Sequence, residues 1–79
     1  MFKIDSIRWV DGFTDLPQIR RDFPEYKWIA IDGDGEVVIY EAKPRWDDDY
    51  DWWEEGGDSF GIADCTIIKG HAKDTLRRL

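Results

Sequence analysis

The side chains with the most chemistry in this sequence lie in one run. Residues 47–58 read DDDYDWWEEGGD and hold Asp47, Asp48, Asp49, Asp51, Glu54, Glu55 and Asp58, seven acids with no base among them. The chain's other eleven acids are matched by eleven Lys and Arg, so the formal net charge of −7 arises from these twelve residues. Trp46, Tyr50, Trp52 and Trp53 are interleaved with the carboxylates. Carboxylates pair with Lys and Arg, and indole and phenol rings stack on guanidinium, so the mixture suits a cationic protein surface. Two other readings stand beside this one. A charge run is commonly a solvated loop, and one or two of the rings can fold back as a lid on a small core. Solvation alone does not account for four large rings, because exposed Trp lowers solubility and is enriched at interface hot spots. The preferred reading is a partner-binding surface made of Trp46 to Glu55 and Asp58, directed at a basic, nucleic-acid-binding protein.

The same run invites comparison with DNA. A duplex carries one charge per roughly 1.7 Å of axis. Twelve extended residues span about 40 Å at roughly 3.3 Å each, which spaces seven carboxylates about 6 Å apart. Mimicry of DNA therefore needs the run folded back, or help from Asp32, Asp34 and Glu36 in a neighbouring turn. Electrostatic steering of a basic partner needs less.

Other constellations are weaker. Asp32 to Glu36 (DGDGE) resembles the start of a calcium loop, but position twelve, where a bidentate Glu is needed, is Lys43, and the flanks read as strands. A hairpin turn explains the glycines better. His71 is the single histidine, and nothing places Ser59, Thr66 or Thr75 beside it as a nucleophile. One His and one Cys are too few for a zinc site. No glycine-rich phosphate loop follows a strand and opens a helix. Acidic pairs doing glycosidase-type work need an apolar pocket that raises one pKa, and 79 residues offer little material for one. Cys65 sits in an apolar run (ADCTII) and reads as a small core residue. The expectation is a protein that is not an enzyme and uses neither cofactor nor metal.

Size and composition narrow the setting. Seventy-nine residues make one domain, spanning 1–79, which buries roughly 60% of the surface of its unfolded chain. Five Trp, three Tyr and four Phe are more aromatic area than so thin a core can hold. A single cysteine argues against an oxidising compartment, where small domains rely on paired cysteines. Lys3, Asp5 and Arg8 interrupt any apolar leader, and no stretch approaches the roughly 20 apolar residues of a membrane helix. The negative charge disfavours direct contact with nucleic acid or anionic lipid. A cytoplasmic protein follows as the expectation, with its oligomeric state open.

The elements that must carry the acidic run read as follows. Residues 2–10 form a strand, ended by the Asp11-Gly12 turn. Thr14 or Asp15 caps a short helix that carries Pro17 in its first turn and stops before Pro24. Residues 26–32 and 36–42 make a hairpin around Gly33-Asp34-Gly35. Neither strand alternates cleanly, so both of their faces are covered or one face is an apolar patch. After Pro44, residues 45–58 form a loop or a loosely paired strand. Residues 59–69 are a third strand, and 71–79 form one or two helical turns with Leu76 and Leu79 on one side. The fold class expected is α+β, a small antiparallel sheet of three to four strands with one or two short helices.

The stretch WIAIDGDGEVVIYEAKPRW, an acidic spacer with Trp, a strand and a final DTLRRL together resemble a group of small proteins encoded by tailed bacteriophages and prophages. Those proteins carry a W-I-A-x-D-x-D-G-E-V hairpin, a following K-P and a C-terminal D-S-L-like segment. The matching residues here are Trp28 to Asp32, Asp34 to Val37, Lys43-Pro44 and Asp74-Thr75-Leu76, within residues 26–79. A Trp often found just before the last motif is replaced by Ala72-Lys73. The resemblance implies a phage origin, and small acidic phage proteins often bind and block host restriction, CRISPR or recombination proteins. The function it favours is inhibition of a host nucleic-acid-handling or defence protein in the bacterial cytoplasm, with partial DNA mimicry as one form. The alternative is a structural or assembly accessory protein that pairs between copies through the apolar faces of residues 26–42.

Overall fold

The β-branched and aromatic runs of the chain extend into strands, and the glycine, proline and Asx residues between them set where each strand stops. The structure is a computed structural model and describes residues 2–54 and 57–79. Along the chain come β1 (Lys3–Trp9), α1 (Leu16–Asp22), β2 (Trp28–Ile31), β3 (Glu36–Tyr40), β4 (Arg45–Asp47), β5 (Trp52–Glu54), β6 (Ser59–Lys69), a 3₁₀ turn (Ala72–Asp74) and β7 (Arg77–Arg78). Five strands form one antiparallel sheet in the order β1-β6-β3-β2-β7, while β4 and β5 form a separate two-stranded ribbon. The long strand β6 lies between β1 and β3 and pairs with both.

Uninterrupted apolar runs in β2 and β3 have a direct cause. Side chains alternate between faces, and both faces of these strands pack against apolar clusters. Ile29, Ile31, Val37 and Ile39 face a cluster under α1 that includes Ile19 and Tyr26. Trp28, Ala30, Val38 and Tyr40 face a second cluster closed by Trp46, Trp53 and Leu76. Ile19, Ile39 and Ile62 are fully buried. α1 has seven residues, too few to hold as an isolated helix. Asp15 caps it by accepting from the Gln18 N–H at 2.9 Å, and Ile19 anchors it to the sheet. Beneath it, Phe60 meets Phe23 and Tyr26 edge-on, at centroid distances of 4.9 and 5.1 Å.

The α+β expectation is overturned. The described residues form a mostly-sheet domain of seven strands with one short helix. Two segments account for the difference. Residues 45–54, expected as a loop or loosely paired strand, are the β4–β5 hairpin. Residues 71–79, expected as helical turns, hold one 3₁₀ turn and then β7, which pairs with β2 at Trp28 and Ile29. The Leu76 and Leu79 spacing misled because i, i+3 residues share a side in a helix but fall on opposite faces in an extended chain. Leu76 packs in the hairpin-side cluster and Leu79 in the helix-side cluster. An open edge of β2 with unpaired backbone groups favours the strand, and the Leu79 N–H donates to the Lys27 carbonyl at 2.8 Å. Among the described residues no helix is long and apolar enough to cross a membrane.

Candidate functional site

The acidic-aromatic run forms a hairpin because Asp47 organises its turn. The Asp47 carboxylate accepts from the backbone N–H of Asp49 at 2.9 Å and of Tyr50 at 3.3 Å, an Asx arrangement. The Asp51 N–H donates to the Asp47 carbonyl at 3.0 Å, and Asp51 itself takes the left-handed conformation, φ 60°, which Asp tolerates better than most residues. Register then sorts the side chains. Trp46 lies opposite Trp53, with Arg45–Glu54 and Asp47–Trp52 as the flanking pairs. Two adjacent Trp residues in a strand must point to opposite faces. Trp53 is 8% exposed and Trp52 is 49% exposed.

The inward side is fastened to the sheet. The Trp53 indole N–H donates to the Ile31 carbonyl at 3.2 Å, and its backbone N–H donates to the Asp32 carboxylate at 2.8 Å. Trp46, half-buried, meets Trp53 edge-on at 5.3 Å and His71 at 5.5 Å. Its indole N–H donates to Asp48 at 2.8 Å. These two rings act as a lid on the hairpin-side cluster. The outward side carries Tyr50 and Trp52, stacked on each other at 5.1 Å. Tyr50 is 67% exposed.

The hairpin tip also docks on the β2–β3 turn. The Gly33 N–H donates to the Asp51 carbonyl at 3.0 Å. A Cβ at residue 33 would stand 2.6 Å from that oxygen, so glycine is what allows the two turns to touch. Gly35 has φ +92° and closes against the Cys65 backbone, whose N–H donates to the Gly35 carbonyl at 2.8 Å. The result is a shared end of the molecule. One cleft of about 310 Å³ there is lined by Asp32, Asp34, Asp51, Tyr50 and Trp52, and a second of about 460 Å³ by Asp32, Trp52, Trp53 and Glu54. Asp47, Asp48, Asp49 and Glu54 border a third, of about 440 Å³, with Arg45 and Trp46.

Internal neutralisation is slight. Arg45 lies 3.7 Å from Glu54 with the guanidinium largely in solvent, a separation and exposure at which ion pairs contribute little. His71 Nε2 lies 3.8 Å from Asp51. Its Nδ1 accepts from the Lys73 N–H, so the neutral ring carries its proton on Nε2, towards Asp51. Among the described residues, Asp47, Asp48 and Asp49 face no basic side chain at ion-pair distance. Negative charge continues along the sheet. Glu36 on β3 is directly opposite Asp64 on β6. Burial, followed by the charges of Asp34, Asp32 and Asp64, pushes the Glu36 carboxyl above the usual range.

Not every expected residue joins this end. Asp58 accepts from the Tyr26 hydroxyl at 3.1 Å, and its carbonyl accepts from the Glu41 N–H at 3.0 Å, which ties it to the end of β3 and not to the hairpin tip. Glu55 lies outside the described residues. Conversely, Asp32, Asp34 and His71 belong with the tip. The sequence signal for the first two was the Gly-Asp-Gly turn itself, whose acids are held beside the tip by the Gly33 contact; His71 had no local signal. Cys65 is buried, and burial together with Asp64 pushes its thiol up, away from thiolate reactivity. Among the described residues no group of three or more His, Cys, Asp or Glu is placed to hold a metal ion. No family model, curated protein or solved structure matches the chain.

Proposed function

We propose that this chain is a non-enzymatic binding protein whose acidic-aromatic end grips a cationic surface of a nucleic-acid-handling protein. The observation that carries the reading is the exposed Tyr50–Trp52 stack, on a hairpin whose Asp47, Asp48 and Asp49 face no basic side chain at ion-pair distance among the described residues. Arginine side chains of a partner would stack on the rings and pair with the acids around them. The resemblance to small phage and prophage proteins supports a bacterial, cytoplasmic partner of the restriction, CRISPR or recombination type, bound so as to inhibit it. Gathering Asp32 and Asp34 beside Asp51 makes the charge denser than in an extended run, which favours the DNA-mimic form of the reading. The assembly alternative drew on the apolar faces of residues 26–42. Those faces pack within the chain against α1 and the β4–β5 hairpin, with Ile29, Ile31 and Val37 also bordering a cavity on the α1 side.

The test uses charge removal that keeps the turns. Asp34 and Asp48 each accept one hydrogen bond through a side-chain oxygen, which Asn also offers. A variant carrying Asp34→Asn, Asp48→Asn and Asp49→Asn, and a second carrying Tyr50→Ala and Trp52→Ala, are compared with the native chain in pull-downs from bacterial lysate at low and high salt. The native chain should retain a basic protein at low salt and release it at high salt. Both variants should lose most of that capture, and duplex DNA should compete for the captured protein if the end mimics DNA. Undiminished capture by both variants would remove the proposal.

A further inference from the structure

The acidic end is not the only feature that the chain builds for a ligand. The five-stranded sheet curls until its two edges approach: the Arg77 guanidinium on β7 lies 5.2 Å from the ring centroid of Phe2, just before β1. Between these edges opens a cavity of about 470 Å³ on the α1 side. Ile4, Trp9, Leu16, Val37 and Leu79 wall it, and Arg20 and Arg77 stand among its lining residues, while the Arg78 guanidinium lies over the Trp28 ring on the other face. No acidic side chain lines it among the described residues. In a chain of net charge −7, that is a segregated cationic mouth over an apolar interior.

We propose that this cavity binds a small amphipathic carboxylate, with its apolar body between the sheet edges and its carboxylate at the arginines. Its volume lies within the range of small-ligand pockets, about 300–1,000 Å³, which are mostly apolar with a few polar groups that fix orientation. Concavity favours a small molecule over a flat protein partner. Charge complementarity fixes the sign of the head group. Arg20 projects from α1 with no acidic partner among the described residues. Arg77 is held in place by bonds from Nη1 to the carbonyls of Asp74, at 3.0 Å, and Leu76, at 2.8 Å. Among the described residues its Nε and Nη2 bond no acceptor, which leaves them for a carboxylate that guanidinium meets in a two-pronged geometry. This site lies on the opposite face of the sheet from the β4–β5 hairpin and stands or falls independently of it.

The experiment titrates the full chain with decanoate, decanol and decylammonium, each below its micelle concentration, and follows side-chain methyl signals. Decanoate should shift the methyls of Ile4, Leu16, Val37 and Leu79 saturably, and decylammonium should bind at least about ten-fold more weakly. Arg20→Gln, an exposed substitution, should weaken decanoate about five-fold and leave decanol unchanged, with an unaltered melting temperature as the control for folding. Arg77→Gln should do the same, and the two together more. Equal affinity for the anionic and cationic probes, saturation without shifts at those four residues, no saturation by decanoate, or variants that bind decanoate as the native chain does would each overturn the proposal.

Discussion

Replacing Thr75 with Val should destabilise the fold by about 2 kcal/mol, a large effect for a change of one atom group. Thr75 is 2% exposed. β7 pairs with β2 only at Trp28 and Ile29, so the ladder stops before Ile31. The Thr75 hydroxyl stands where the next strand residue would be. It accepts from the Ile31 N–H at 2.8 Å and donates to the Ala72 carbonyl at 2.6 Å. Valine keeps the shape and removes both bonds. A buried N–H left without an acceptor costs about 1–3 kcal/mol, and a lost bond about 1 kcal/mol. The Ala72 carbonyl still accepts from the Thr75 N–H at 3.1 Å, and the added methyl returns up to about 0.8 kcal/mol, which leaves the net near 2 kcal/mol. At about 4–8 °C per kcal/mol for a domain of this size, the melting temperature should fall by roughly 8–16 °C. Urea unfolding followed by Trp fluorescence measures it, with an unchanged m-value. Thr75→Ser keeps both bonds and should lose less than about 1 kcal/mol. If Val is tolerated as well as Ser, the hydroxyl does not complete the ladder and the reasoning fails.

Three further outcomes follow from the same geometry. Trp53→Ala should cost about 3–5 kcal/mol and Trp52→Ala under about 1 kcal/mol by denaturant titration; equal losses would contradict the inward and outward assignment. Gly33→Ala should push the Asp51 carbonyl away, since φ at residue 33 is not left-handed and only the 2.6 Å approach is at fault. Amide exchange at residues 49–53 should then quicken while β3 and β6 stay protected, and unchanged exchange there would count against docking of the two turns. Glu36→Gln should stabilise the protein at neutral pH by about 0.5 kcal/mol, the scale of a directly opposed cross-strand pair. The folded Glu36 carboxyl is raised, so the fold favours its protonated form: that contribution is present below the ordinary carboxylate range and is lost as pH rises through the raised value. The gain over the native chain should therefore vanish in acid, and melting curves at both pH values decide it.

Local chemistry determined most of the strands. β-branched and aromatic runs bounded by Asp11-Gly12, Gly33-Asp34-Gly35 and Gly70 mark β1, β2, β3 and β6, because those signals act within a few residues. α1 was legible from Asp15, Pro17 and Pro24 for the same reason. The location of the charge was also legible, since net charge is a sum over side chains and needs no fold. The sequence alone left open which of the four rings at residues 46–53 points inward. That follows from Trp53 finding the open face of β2 and β3 and the Ile31 carbonyl, 22 residues away. It also pointed the wrong way at residues 71–79, because leucines at i, i+3 match one side of a helix and carry no signal for a strand. Only the unpaired edge of β2 decided for the strand. Asp32 and Asp34 became part of the acidic end, and Asp58 did not, because tertiary docking at Gly33 sets which turns share space while chain neighbourhood does not.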